Sequence, residues 1–322
     1  MIPNSMKAAV TTKAGGPEVI EIKHVEVPRA KSGWTLVKVM AAGVNRSEMY
    51  TRQGHSPDVM FPRIQGIECV GLVVDSLNEE LPEGTKVVAN MGEMGRDFDG
   101  SYAEYALLPD KIISRVETSL DWKTLGALPE MYATAYGSVF ECLRVQEGDQ
   151  ILIRGGSSSV GLAAIGLAKS KGAQVTASIR KKSFDTKKDV LVAAGATPIV
   201  DDGDLASKGQ SYNKVLELVG TSSLRDSLKL LVPGGICCFT GILGNQWVLD
   251  HFAPFSDLNS STYLTTYASK SWTESALTDV IRLVEDGKLS PPIYKTFRLD
   301  QLKEIHDIME SGVAVGKMVV MP

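Results

Sequence analysis

Asp149-Gln-Ile-Leu-Ile-Arg-Gly155-Gly156-Ser157-Ser158-Ser159-Val160-Gly161-Leu-Ala-Ala-Ile-Gly-Leu-Ala-Lys169 reads as a strand, a small-residue loop and the first turns of a helix. Ile151 to Ile153 form a short apolar run behind the Gly148-Asp149 turn. Val160, Ala163, Ala164, Leu167 and Ala168 then recur with helical spacing. At such a helix start the unpaired N–H groups and the positive end of the dipole favour an anion. Residues without bulky side chains let a pyrophosphate reach the backbone. The expected ligand is a nucleotide.

Three phosphate-loop or elbow motifs compete for this stretch. Gly156 and Gly161 have P-loop spacing, but Leu162-Ala163 stand where Lys and Ser or Thr would hold terminal phosphates and Mg²⁺. A hydrolase elbow needs Gly-x-Ser-x-Gly, and none of the three serines is flanked that way. The dinucleotide fingerprint fits Gly156-Ser157-Ser158-Ser159-Val160-Gly161, with Ser158 replacing the middle glycine and bringing a hydroxyl that is a candidate phosphate donor. The competing structural reading is a flexible glycine-serine turn.

The residues beyond the helix favour the nucleotide. Gly172-Ala173 closes the helix and Gln174 to Ile179 forms a second strand, completing a β-α-β unit. NAD-binding units usually end this strand with an acid that accepts from the ribose hydroxyls. Here no acid lies between Ser157 and Ser183, and Arg180-Lys181-Lys182 come directly after Ser178-Ile179. Missing acid and present base both suit an adenosine 2′-phosphate, so NADPH is the expected cofactor. The alternative is a solvated basic turn.

The 322 residues are enough for two domains, and 43% hydrophobic with 22% charged residues is an ordinary globular balance. A net charge of -4 leaves no excess positive field for nucleic acid or an anionic membrane. No apolar run reaches membrane-spanning length, and the first residues lack a signal peptide's basic start and apolar stretch, so the cytoplasm is expected. Cys69, Cys142, Cys237 and Cys238 are too few for a disulfide scaffold. Cys237-Cys238 read as inert thiols in a buried strand. The four histidines are scattered, with no local metal-ligand spacing.

From Lys7 to about Asp110 the chain is strand-rich, with runs at Lys7–Val10, Val19–His24, Trp34–Ala42, Cys69–Asp75, Lys86–Asn90 and Ser101–Leu108. That pattern predicts an antiparallel β barrel or sandwich. From about Leu120 to Leu258 helix and strand alternate, with further strands at Thr197–Val200, Lys214–Leu218 and Gly235–Thr240, which predicts a doubly wound parallel sheet. The tail offers strands at Tyr263–Tyr267, Tyr294–Phe297 and Lys317–Met321 and helices at Glu274–Glu285 and Leu302–Glu310. The fold class is therefore α/β, with a mostly β domain over 1–119 and 262–322 and a nucleotide domain over 120–261.

Taken in order, Met6-Lys-Ala-Ala-Val10, Ala42-Gly-Val-Asn45, Tyr50-Thr-Arg52-Gln-Gly54, Gln65-Gly66-Ile67-Glu68-Cys-Val-Gly71, Gly100-Ser-Tyr-Ala-Glu-Tyr105, Leu128-Pro-Glu-Met-Tyr-Ala-Thr134-Ala-Tyr136 and Gly316-Lys317-Met-Val-Val320 span nearly the whole chain. Together they resemble the zinc-independent medium-chain dehydrogenases/reductases, specifically the quinone oxidoreductase or zeta-crystallin-like branch. The resemblance implies a GroES-like catalytic domain, a Rossmann domain, an active-site cleft between them, NADPH, and a homodimer formed through the nucleotide domains.

In the zinc-dependent relatives a Cys falls at the position of Asn45 and a His at that of Ile67, so no metal is expected here. The family often has Asp where this chain has Glu48, which leaves the local hydrogen bonding open. The resemblance places Asn45 and Tyr50 against nicotinamide and substrate, as catalytic candidates whose donors would meet a developing oxyanion. Their structural alternatives are a turn residue and a packed aromatic. Arg52 is expected to be a surface or structural cation. The same resemblance assigns Thr134 to the nicotinamide side and Gly156, Ser157, Ser158, Ser159, Val160 and Gly161 to the pyrophosphate. Ser178, Arg180 and Lys181 fall to the adenosine ribose phosphate, and Val219, Gly241 and Leu243 to the nicotinamide ribose and carboxamide.

The implied reaction is hydride transfer from NADPH to a quinone or an activated α,β-unsaturated carbonyl. The alternatives are an enoyl thioester reductase and a non-catalytic NADPH-binding structural or regulatory protein.

Overall fold

The computed structural model describes residues 1–269 and 272–322. The chain divides into two compact units, Met1–Ala133 with Lys270–Glu285 and Ile293–Pro322, and Thr134–Ser269 with Asp286–Pro292.

The first unit carries strands β1 (Ser5–Thr11), β2 (Ile20–Glu26), β3 (Trp34–Val44), β4 (Arg63–Ile64), β5 (Glu68–Asp75), β6 (Lys86–Asn90), β7 (Tyr105–Pro109) and β8 (Ile113–Arg115). The second carries β9 (Gln150–Arg154), β10 (Gln174–Arg180), β11 (Thr197–Asp201), β12 (Tyr212–Glu217), β13 (Leu231–Phe239) and β14 (Tyr263–Thr266). The last two strands, β15 (Ile293–Arg298) and β16 (Lys317–Met321), return to the first unit. The helices are α1 (Arg46–Arg52), α2 (Trp122–Gly126), α3 (Pro129–Tyr136), α4 (Ser159–Ser170), α5 (Phe184–Ala193), α6 (Thr221–Lys229), α7 (Pro254–Asp257), α8 (Glu274–Glu285) and α9 (Leu302–Ser311).

In the first unit β3 is the hub, pairing antiparallel with β5, β7 and β16. Its near-continuous apolar run suits that position, because both faces are covered. Leu36 and Val44 join one core with Ile64, Tyr102 and Val320, while Val37 and Val39 join another with Val73 and Val87. The parallel β15–β16 pair is added at the sheet's end, so residues far along the chain complete a domain begun at its start.

The second unit holds one parallel sheet in the order β11-β10-β9-β12-β13-β14. This is the doubly wound order of dinucleotide-binding sheets, with its switch point between β9 and β12. β9 has no exposed side chain beyond Gln150, as a central strand between two helical layers requires. Cys237 and Cys238 lie fully buried in β13.

The structure moves some expected elements. Tyr263–Thr266, read from sequence as part of the 262–322 return to the first domain, pairs with β13 through Ile236–Tyr263 to Phe239–Thr266 and extends the parallel sheet. The segment 120–133, read with the nucleotide domain, belongs to the first unit, where Gly126 of α2 lies so close to Ala41 of β3 that a Cβ would sit 2.5 Å from the alanine methyl. The expected Ser101–Leu108 strand starts only at Tyr105, because the Ser101 and Tyr102 N–H groups turn to the Gly66 and Gln65 carbonyls. Gly137–Cys142 forms a wide π turn closed by the Leu143 N–H on the Ser138 carbonyl.

Candidate active site

In the second unit β9 runs straight into the loop that heads α4. Gly155 adopts φ +86°, a backbone region that glycine enters without strain. A Cβ on Gly156 would lie 2.7 Å from that of Ala177, and one on Gly161 would lie 2.7 Å from the carbonyls of Gly155 and Gly156. Close loop–strand and helix–loop approach therefore demands glycine at 156 and 161. The Gly156 N–H also bonds the Ser178 carbonyl at 3.1 Å, tying the loop to β10.

Ser158, the replacement for the middle glycine, is the N-cap of α4. Its Oγ accepts from the Gly161 N–H at 3.1 Å and donates to the Gly155 carbonyl at 2.8 Å. The hydroxyl expected as a phosphate donor is thus spent on the cap. Helix geometry leaves the Ser159 and Val160 N–H groups without intrahelical acceptors, and Ser157, Ser159 and Val160 are only half-buried. The result is an anion cradle built from backbone donors and the α4 dipole.

The residues that the resemblance assigns to the nicotinamide side converge on the ends of β12 and β13. The Leu243 N–H bonds the Leu218 carbonyl at 3.1 Å, the Gly244 N–H bonds the Val219 carbonyl, and a Cβ on Gly241 would lie 2.7 Å from the Leu218 Cα. Leu243 Cδ1 also reaches the surface of Gly155 at the end of β9. Ser138 Oγ, bonded to the Thr134 carbonyl at 2.7 Å, sits 2.9 Å from Thr240 Oγ1, which joins Thr134 to the same edge. Val219, Gly241, Leu243 and Thr134 are therefore gathered at one carboxyl edge, where such sheets bind ligands.

At the other end of that edge, Arg180, Lys181 and Lys182 are exposed. Ser178 is buried and its Oγ donates to Asp201 Oδ2 at 3.0 Å, so its hydroxyl is directed away from a ribose phosphate. Asp201 is held in turn by the fully buried Arg154, Nε to Oδ2 at 2.7 Å and the second guanidinium arm to Oδ1 at 2.9 Å. Those contacts keep the Asp201 carboxyl below its ordinary pKa despite partial burial. Asp201 is 23 residues from Ser178 in sequence, and only the parallel register of β10 and β11 brings it close.

In the first unit Asn45 precedes α1 in extended backbone. Its Nδ2 donates to Glu68 Oε1 at 2.8 Å and to Glu48 Oε1 at 3.3 Å, and its Oδ1 accepts from Lys317 Nζ at 2.5 Å. Both amide hydrogens point inward, so they do not serve the oxyanion expected of them from sequence. Lys317 Nζ also donates to Glu68 Oε1 at 2.5 Å, with both side chains fully buried. Gly43 makes the space, since a Cβ there would collide with Lys317 Cε and Glu68 Oε1.

Glu48 completes this cluster. Its Oε1 accepts from the Tyr102 hydroxyl at 3.0 Å and the Ile67 N–H at 3.3 Å. Its Oε2 is buried without a hydrogen-bond partner among the described residues. Burial pushes the carboxyl up to about 7, with Glu68 raising it further and Lys317 opposing. Tyr102, buried against Glu48, is raised well above an ordinary phenol.

Tyr50 lies on α1, nearly buried, with its ring edge-on to His55 at 5.9 Å. Arg52, a surface or structural cation by sequence, is fully buried. It donates to His306 Nδ1 at 3.1 Å and to the Gly15 carbonyl at 2.5 Å, and it pairs with Glu310 on α9. Its role is to fix α1 against α9.

The positions that hold zinc in zinc-dependent relatives do not suit a cation. Ile67 offers no side-chain ligand, the Asn45 Oδ1 already accepts from Lys317, and the Lys317 ammonium occupies the neighbourhood. Among the described residues no group of three His, Cys, Asp or Glu side chains could hold a metal ion.

Two family models match the chain: the alcohol dehydrogenase GroES-like domain over residues 31–118, and zinc-binding dehydrogenase over 194–320. The sequence is 27% identical to the quinone oxidoreductase of Pongo abelii over 98% of each chain. It is 26% identical to the chloroplastic NADPH-dependent alkenal/one oxidoreductase of Arabidopsis thaliana, across all of this chain and 81% of that protein. The fold is similar to the quinone oxidoreductase structure from Coxiella burnetii, with a TM-score of 0.86 at 24% identity and 99% of each chain covered.

Proposed function

Because this chain belongs to the medium-chain dehydrogenase/reductase family of oxidoreductases, we propose that it reduces quinones or activated α,β-unsaturated carbonyls with NADPH and without a metal. The observation that carries the reading is the glycine-lined anion cradle at α4, set beside a β10 end that is basic and free of its own acid. When bound, the reduced nicotinamide supplies the hydride.

The chain's own residues bind and orient. Ser157, Ser159 and Val160 present backbone donors to the pyrophosphate, Gly156, Ser158 and Gly161 shape the loop that carries them, and Arg180 and Lys181 offer charge to the 2′-phosphate. Ser178 contributes strand geometry rather than its hydroxyl. Val219, Gly241, Leu243 and Thr134 line the nicotinamide end. Of the catalytic candidates, Tyr50 brings a phenolic hydroxyl on α1, and Asn45 acts as the clasp that fixes the start of that helix against Glu68 and Lys317. Without a Lewis acid the acceleration rests on positioning the acceptor in a dry site.

The identities to a quinone oxidoreductase and to an alkenal/one oxidoreductase support quinones and enones as the two acceptor classes to test first. We also propose a homodimer joined at β14, the outermost strand of its sheet, which exposes Tyr263 and Leu264 on an edge that pairs with no further strand among the described residues. Among the described residues no helix is long and apolar enough to cross a membrane, and the four free cysteines suit the reducing cytoplasm.

The test is binding of NADPH and NADH to metal-stripped protein, and then loss of reduced-nicotinamide absorbance with quinones, alkenals and crotonyl thioesters. NADPH-selective binding with quinone or alkenal turnover is expected. Turnover restricted to thioesters would replace the acceptor class, and absence of binding would overturn the reading.

A further inference from the structure

We propose that Arg154 is a specificity-determining residue for the cofactor, acting by keeping Asp201 from capturing the arginine that receives the 2′-phosphate. The proposal rests on the NADPH reading and names the device that enforces it.

Strand register sets the problem. Asp201, the last residue of β11, stands directly opposite Arg180, the last residue of β10. Neighbouring strands lie about 4.8 Å apart, so a carboxylate on one strand end is within reach of a long side chain on the next. A free aspartate there would offer the exposed Arg180 an ion-pair partner and would place a negative charge beside any phosphate. Either effect favours NADH over NADPH.

Arg154 removes both effects. Its two bonds to Asp201 combine with those from Ser178 Oγ and the Gly203 N–H, at 3.0 Å each, to fill both carboxylate oxygens. A carboxylate has about four acceptor sites, so none is left for Arg180 or for a ribose hydroxyl. The guanidinium stays in place because its remaining donors are also used. One arm bonds the Ser223 carbonyl and Ser227 Oγ at 3.1 Å and pairs with Asp226 at 2.6 Å.

Glu217 also faces this cation, but its own charge is met by the Val219 and Gly220 N–H groups and the Ser227 hydroxyl. The side chain that completes the neutral strand end comes from β9, on the far side of β10 from Asp201.

The experiment measures the NADH-to-NADPH ratio of dissociation constants, with thermal unfolding as a folding control, for three variants. Arg154→Met should lower the ratio about tenfold, as expected for one uncompensated charge near a phosphate at a partly exposed site. Asp201→Asn should raise it several-fold, chiefly by tightening NADPH. The double variant should return to within about threefold of the parent, since the two charge changes cancel.

Asp201→Asn and the double variant decide the matter even if Arg154→Met does not fold. An unchanged ratio in Asp201→Asn, or equal weakening of both cofactors in folded Arg154→Met, would overturn the proposal. A parent protein without NADPH preference would instead sink the cofactor reading, while the NADPH affinities of the same variants would still report the charge effect.

Discussion

Replacing Glu48 with Gln should stabilise the protein at alkaline pH relative to acid pH. Burial raises this carboxyl from its usual 4.5 to about 7, so between those values the folded state holds a proton that the unfolded state has lost. Stability therefore falls as pH rises through that window and stays low above it. Ionising the group in its folded site costs about 3 kcal/mol more than in the unfolded chain, as an order of magnitude.

Glutamine keeps an oxygen for Tyr102, the Ile67 N–H and Asn45, and has no proton to lose. Whatever its amide gains or loses beside the orphaned Oε2 position is the same at every pH. The readout is urea unfolding of both proteins at pH 5 and pH 8. The variant should gain about 2–3 kcal/mol on the parent between the two conditions. Since every other titrating group is common to both proteins, an equal difference at pH 5 and pH 8 would show that Glu48 does not titrate in this window.

Lys317→Met should destabilise the first unit by about 3–5 kcal/mol, because it removes one partner of a fully buried ion pair and leaves Glu68 and Asn45 without the cation they surround; urea midpoints give the number. Gly161→Ala should weaken NADPH and NADH together by at least about tenfold, since the methyl would meet two loop carbonyls and push α4 off the cradle; titration calorimetry at unchanged fold by circular dichroism checks this. Arg180→Ala combined with Lys181→Ala should weaken NADPH by about tenfold or more and leave NADH nearly untouched, and equal losses would remove those residues from the phosphate site.

The features legible in the sequence are local ones. The β9-loop-α4-β10 unit announces itself within a few dozen residues, through apolar periodicity and glycines whose neighbours come from the same stretch. Even there the Ser158 hydroxyl misleads, because a cap and a phosphate donor look alike until the helix start is fixed.

The features that escape depend on distant partners. Lys317 lies 249 residues from Glu68, so no window around Asn45 reveals that its amide is consumed. No acid lies in β10 or in the basic turn directly after it, whereas the relevant one, Asp201, arrives sideways from the next strand. Tyr263–Thr266 is too short for its pattern to say which sheet it joins, and only the pairing with Ile236–Phe239 decides it. Glu48 stands out in sequence as a departure from its family, and its meaning lies in a tyrosine 54 residues away.

The Lys317 clasp also bears on how the molecule is made. Ribosomal synthesis delivers Asn45, Glu48 and Glu68 well before the cation they surround, which emerges 249 residues after Glu68 on the strand that pairs with Val44. Until β16 emerges, the nascent first unit therefore carries an unbalanced acidic interior and an open edge on β3. The parallel sheet from β9 to β14, whose strands all precede residue 267, is free to form meanwhile. The unit begun before the parallel sheet is then completed after it, and loss of β16 leaves it half-built, with its apolar faces available to chaperones or to aggregation.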